Sequence, residues 1–387
     1  MAYDKDLSFI YKNPTRVVFG VNSLRDLGPE VDELKCARAF VVSDQGVREA
    51  GLTEKVEQAL GKRWVGTFDE CPQDSGLHIV NQAADKAKEK EADILVSVGG
   101  GSVIDTAKGM AILLKEGGKI EDHYGLQLFT RPQTPHVAIP TTAGTGSEVT
   151  WALVVKDWDK NQKILLGDDH IIPNTAILDP VLTQGLPPMI TAFTGMDALT
   201  HAIEAIHALQ AEPIADTMAF GAIRMIVEYL PKCVENGDDI FARGQQQIAA
   251  TIAGAAFGNA QIGLVHATAH SAGALFKVPH GLANSILLPY CMEYNMDECA
   301  DRYAFVADAM GVKEKGMSDE EASQAAIEAI FALTKKIGLP QKLSEAGVEE
   351  SGLEAIAELS LSDGSIVYNP KMIFEAEQVM EVLKKAF

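Results

Sequence analysis

The stretch GMDALTHAIEAIHA (195–208) reads as a small-residue, apolar helix, yet it carries Asp197, His201, Glu204 and His207. Asp197 and His201 are four apart and share a helix face. An unpaired buried charge costs on the order of several kcal/mol, so something must compensate them. A second stretch, QIGLVHATAHSAGALFKVPHG (261–281), supplies His266, His270 and His280. His266 and His270 are again four apart on a helix, and His280, between Pro279 and Gly281, begins a new segment. A carboxylate and several imidazoles projecting from separate helices suit Zn²⁺ or Fe²⁺. One core histidine alone is more often simply hydrogen-bonded. The set Asp197, His201, His266 and either His270 or His280 favours a metal, and spacing by itself pairs His266 with His270. Glu204, seven residues after Asp197, shares its face. It is a candidate partner for a ligand, or for an ion pair with the N-terminal half. His207 points elsewhere and reads as structural.

Two further segments suit a nucleotide. VSVGGGSVIDTAK (96–108) lies where a buried strand meets a helix. Gly99, Gly100 and Gly101 allow close backbone approach. Ser102 is placed to cap the helix, whose free N–H groups favour a phosphate. The spacing is not GxGxxG. PTTAGTGSEVT (140–150) is a second small-residue loop, with hydroxyls at Thr141, Thr142, Thr145 and Ser147. Ligands of parallel sheets bind outside the carboxyl ends of the strands. Asp44 ends the strand ARAFVVSD. An acid there fits the ribose hydroxyls of NAD and repels the 2′-phosphate of NADP, although a lone Asp is more often a helix N-cap.

These residues need elements to hold them. The first half alternates: strands near 15–20, 37–44, 63–70, 92–101 and 135–142, with helices at 22–34, 52–62, 77–91 and 102–116. That pattern predicts an α/β domain with a parallel sheet. Residues 148–180 read as short strands with a hairpin near Asp157–Asp159. From 186 onward the pattern is helical and Ala-rich. The expected domains are 1–185, nucleotide-binding α/β, and 186–387, all-α and metal-binding, closely joined with a cleft for ligand.

A chain of 387 residues is long enough for two such domains. Its net charge of −21, 33 basic against 54 acidic residues, argues against nucleic acid or an anionic membrane as partner. Five cysteines, none in CxxC spacing, fit reduced thiols. The start MAYDKDLSFIYKN is too polar for a secretory signal, and no apolar run is long enough to span a bilayer. A cytoplasmic protein is expected.

Together, GGGSVIDTAK, PTTAGTGSEVT, LPPMITAFTGMDALTHAIEA, GLVHATAH and VPHGLANSILLPYCMEYN resemble the iron-containing (group III) alcohol dehydrogenases in order and spacing across residues 15 to 300; YNPK (368–371) resembles a C-terminal element of that family. The resemblance implies a dehydroquinate synthase-like, iron alcohol dehydrogenase architecture. It also implies an NAD-dependent, divalent-metal-dependent oxidoreductase interconverting a primary alcohol or diol and its aldehyde. It places the metal ligands on Asp197, His201, His266 and His280, and a histidine near nicotinamide and substrate on His270, a proton relay. It places NAD contacts on Asp44, Gly99, Gly100, Gly101, Ser102, Asp105, Thr141, Thr142 and Ser147. The implied cofactors are NAD and Fe²⁺, with Zn²⁺ as the alternative, and the implied assembly is a homodimer or larger homo-oligomer. Trp151 and Phe257 are candidates for the substrate pocket. The chain departs from the family at Cys71–Ser75, beside the expected cleft. Rival readings are a glycerol dehydrogenase-like polyol oxidoreductase, a dehydroquinate synthase-like lyase and a silent NAD-binding protein. The lyase needs a basic pocket, and neither GMDALTHA nor GLVHATAH contains Lys or Arg.

Overall fold

A computed structural model of the chain describes residues 5–160 and 162–387. They form two compact units. One runs from Asn13 to Leu186; the other comprises Pro187–Phe387 and the N-terminal stretch that ends at Lys12. Asn259 explains that last grouping: its amide bonds both the N–H and the carbonyl of Lys12, at 2.8 and 3.1 Å. The sequence reading had placed this stretch with the first domain.

The first unit is α/β. Its elements in order are β1 (Arg16–Phe19), α1 (Leu27–Glu33), β2 (Ala39–Val42), α2 (Gln45–Glu49), α3 (Leu52–Leu60), β3 (Trp64–Phe68), α4 (Leu77–Glu89), β4 (Ile94–Gly99), α5 (Gly101–Glu116), β5 (His136–Pro140), β6 (Ala152–Asp157), β7 (Gln162–Gly167) and β8 (Thr175–Leu178). Six strands form one parallel sheet in the order β1-β8-β5-β4-β2-β3. Strands β2, β4, β5 and β8 are buried along their whole length, because helices cover both faces. Alternation sorts their side chains. Phe40, Val42 and Leu95 join Val103, Ala107 and Met110 of α5 on one side. Val41, Ile94, Val96 and Val137 join Val31, Val56 and Leu60 on the other.

Strands β6 and β7 form the expected hairpin, an antiparallel pair apart from the main sheet. Asp157 Oδ1 starts its turn by accepting from the amides of Asp159 and Lys160, at 3.1 and 3.2 Å. The hairpin is tied to α5 by a buried polar cluster. The wholly buried Lys108 ammonium donates to Ser147 Oγ at 2.8 Å, Thr150 Oγ1 at 3.3 Å and the Ala152 carbonyl at 2.6 Å. Asp105 accepts from Ser147 Oγ at 2.6 Å and from the Val154 amide at 2.9 Å. Burial pulls the Lys108 pKa from its ordinary 10.5 down to about 8, against the attraction of Asp105 and Glu148.

The second unit is helical, with no strand among its described residues: α6 (Pro188–His207), α7 (Pro213–Glu235), α8 (Ile240–Ala260), α9 (Leu264–Phe276), α10 (His280–Met310), α11 (Asp319–Lys336), α12 (Leu353–Ser360) and α13 (Ala376–Ala386). Helix α6 is apolar nearly all round and is accordingly buried, packing against α7, α8 and α10. Proline opens α6 and α7, where its missing N–H costs nothing. Helices α8 and α9 meet at a bend of 106° around Gln261, which has a left-handed φ of 75°. No single helix among the described residues is long and apolar enough to cross a membrane.

Candidate metal centre and nucleotide loops

Three helices bring the singled-out acid and histidines together. Asp197 and His201 come from α6, His266 from α9, and His280 opens α10. Asp197, His201 and His266 are buried and offer ligand atoms that all lie within 4.8 Å of one another. His280 Nε2 is 3.5 Å from Asp197 Oδ1, and its side chain is partly open to solvent. Gly281 permits this approach, since a Cβ there would run into the Phe193 carbonyl on α6. One carboxylate oxygen and three imidazole nitrogens converging in a buried site fit a divalent cation of intermediate hardness. An acid and imidazoles at this depth would be costly without such a charge.

The neighbours of His266 set its tautomer. Asn284 Nδ2, which must donate to Asp197 Oδ1 at 2.7 Å, also lies 3.1 Å from His266 Nε2. Nε2 of His266 is therefore an acceptor, and Nδ1 carries the hydrogen and donates it to Glu204. Glu204 Oε1 accepts from the amides of Gly263 and Val265, at 3.1 and 2.9 Å. Asn369 Oδ1 accepts from the Leu264 amide between them at 3.3 Å. Helix α9 has no side-chain cap of its own, so Glu204 from α6 and Asn369 from the YNPK element cap it and aim His266 together. Burial raises the Glu204 pKa, opposed by His207 and these amide bonds.

His270, like His280, is outside the tightest group, which is Asp197, His201 and His266. Its ring stacks on His280, centroids 5.0 Å apart, and its Nδ1 pairs with Asp363 Oδ2 at 2.7 Å. Despite burial, His270 and the Ser365 amide hold Asp363 below the usual carboxylate range. His207 is separate: Nδ1 meets the Tyr303 hydroxyl at 2.9 Å, and burial lowers its pKa to about 4, a structural environment. Phe257 stacks on His201, centroids 4.2 Å apart.

In the α/β unit, β5, β4 and β2 are neighbours. Their carboxyl ends lead into Thr141, into Gly100–Ser102 and to Asp44, so the three nucleotide segments share one edge of the sheet. The Thr141 amide donates to the Gly99 carbonyl at 3.0 Å, joining two of the loops. Helix α5 starts at Gly101 with Gly100 as N-cap and no side-chain cap. Ser102 is therefore not the expected cap. It lies inside the first turn, and its Oγ accepts from the Asp74 amide at 3.2 Å. Gly101 is glycine partly for packing: a Cβ would come within 2.8 Å of Thr145. Thr142 flanks Gly100. Asp44 caps α2, accepting from the Val47 amide at 2.9 Å, and burial raises its pKa against that bond. Asp105 and Ser147 are engaged in the buried cluster with Lys108. Trp151 lays its ring over Gly167 of the hairpin.

Two family models divide the chain between them. Iron-containing alcohol dehydrogenase matches residues 14–180, and the C-terminal part of the Fe-containing alcohol dehydrogenase family matches residues 191–387. The chain belongs to the iron-containing alcohol dehydrogenase family. It is 36% identical to the NAD-dependent methanol dehydrogenase of Bacillus methanolicus over 96% of this chain and 98% of that protein. It is 36% identical to the 1,3-propanediol dehydrogenase of Citrobacter freundii over 98% and 99% of the two chains. A crystal structure of a 1,3-propanediol oxidoreductase superposes with a TM-score of 0.95 at 36% identity, covering 98% of this chain and all of that one.

As an alcohol dehydrogenase the chain is an oxidoreductase, and neither a lyase nor a silent nucleotide binder is favoured by these matches. Sequence reasoning assigned no role to three residues beside the candidate site, Asn284, Asp363 and Asn369. Asn284 carried a signal, since it follows His280 by four on one helix. Asn369 was visible as part of YNPK but without a role, and Asp363 carried no signal, because their partners lie 105 and 93 residues away in the chain.

Proposed function

We propose that this dehydrogenase interconverts a primary alcohol or diol and its aldehyde, with NAD as hydride carrier and a divalent cation held by Asp197, His201, His266 and His280. The observation that carries the reading is the buried convergence of that carboxylate and those imidazoles, with His266 oriented by Glu204. The similarity to enzymes named for methanol and 1,3-propanediol supports a short primary alcohol as substrate. Fe²⁺ is the proposed metal, in keeping with the family, and Zn²⁺ suits the same donors.

When bound, the cation supplies Lewis-acid polarisation of the alcohol or aldehyde oxygen, and NAD accepts or returns the hydride. The chain's own groups do the rest. Asp363 holds His270 through Nδ1, which leaves Nε2 as the atom that takes up and releases the alcohol proton. The uncapped start of α5, at Gly100, Gly101 and Ser102, receives the pyrophosphate; Gly99, Thr141 and Thr142 line its approach. Asp44 meets the ribose hydroxyls and disfavours a 2′-phosphate. Asp105 and Ser147 support the loop from beneath. Phe257, stacked on His201, borders the substrate. Five free cysteines are consistent with a cytoplasmic enzyme, and a homodimer or larger homo-oligomer follows from the family resemblance.

Replacing His266 or His280 with Ala tests the ligand set. Both variants are expected to lose bound metal and alcohol-dependent NADH formation together. Full turnover by a variant without metal would remove these residues from the role.

A further inference from the structure

Asn284 is fully buried one turn beyond His280 on α10. Its Nδ2 lies 2.7 Å from Asp197 Oδ1, 3.1 Å from His266 Nε2 and 3.2 Å from His280 Nε2. These are three of the four atoms assigned above to the cation, and they come from three helices. An amide nitrogen only donates, so it faces all three acceptors as a partial positive charge. The flipped amide would aim its oxygen at a carboxylate and two imidazole lone pairs, so the orientation follows from the neighbours. Among the described residues no donor meets Asn284 Oδ1. A buried carbonyl in that state is costly, so the amide is a poor choice for packing alone.

We propose that Asn284 is a positioning residue of the cation site. Its NH₂ group lies against Asp197 Oδ1, His266 Nε2 and His280 Nε2 together and keeps the three side chains turned toward one point. The bond to Asp197 holds the carboxylate in place. The inference rests on the ligand assignment proposed above.

The test uses the full chain as wild type, Asn284→Leu and Asn284→Asp. Binding of Zn²⁺ alone is measured by competition with a chromogenic chelator, and melting of the metal-free proteins by circular dichroism. Asn284→Leu keeps the branched shape and removes the donor; it is expected to bind Zn²⁺ roughly 10–100-fold more weakly with helicity unchanged. Asn284→Asp sets a second carboxylate against Asp197; it is expected to melt below wild type without metal and to recover with saturating Zn²⁺. Zn²⁺ affinity of Asn284→Leu within twofold of wild type overturns the inference. If Asn284→Leu does not fold, metal-free melting of Asn284→Asp equal to wild type overturns it instead. A wild-type chain that binds no divalent cation overturns the ligand assignment and the inference with it, an outcome distinct from tight binding by both proteins.

Discussion

Glu204 does two jobs with one carboxylate. One oxygen closes the start of α9 through the Gly263 and Val265 amides, and the other receives Nδ1–H of His266. The second job makes His266 a better lone-pair donor, because a carboxylate partner raises the basicity of the distal nitrogen. Glu204→Gln keeps an acceptor for the amides and removes the charge. It is expected to weaken Zn²⁺ binding by about 10–100-fold without loss of helicity, measured by calorimetric titration; unchanged affinity would contradict this role. At this scale much of the metal centre was legible. Asp197, His201 and His266 stand out as polar residues at helical spacing in apolar helices. Glu204 was legible only as a choice between a ligand partner and an ion pair, since spacing gives a face but not what faces it. Spacing also could not separate His270 from His280. What favours His280 is a contact between helices: its Nε2 lies 3.5 Å from Asp197 Oδ1, whereas His270 pairs with Asp363, far along the chain.

Helix α5 and the β6–β7 hairpin are joined by Lys108 and Asp105, an internal tie in the α/β unit. Replacing Lys108 by Met would leave three buried acceptors without their donor, at a cost on the order of 3 kcal/mol. The expected result is a melting temperature lower by roughly 6–12 °C. The folded-state pKa of about 8 lies below the ordinary 10.5, so the unfolded chain binds the extra proton between those values. Wild-type stability therefore gains from this residue as pH rises from about 8 to 10.5, and the Met variant lacks that gain. Equal melting of the two proteins across this range would contradict the account. The sequence showed the strands of this unit as short apolar runs, and the glycine loops at their ends. It did not show β8 inserting between β1 and β5, because strand order is a long-range property. It misplaced the start of α5, because Gly100 serves as N-cap without offering a side chain, while Ser102 has the look of a cap.

For the whole molecule, two family models and relatives aligned over nearly the full chain make it an iron-containing alcohol dehydrogenase. The parallel sheet followed by a helical unit was legible from alternation in the first half and its absence in the second. The path of the N-terminal stretch was not, since its partners, Asn259 and Met218, lie far along the chain. The central claim is that a cation at Asp197, His201, His266 and His280 is required for oxidising an alcohol with NAD. It is tested most directly on anaerobically purified protein by following NADH formation from methanol and 1,3-propanediol. Bound iron and zinc are assayed on the same sample before chelation, after chelation and after Fe²⁺ is restored. The account predicts alcohol-dependent turnover that disappears with the metal and returns with it. Undiminished NADH formation by the metal-free protein would contradict it.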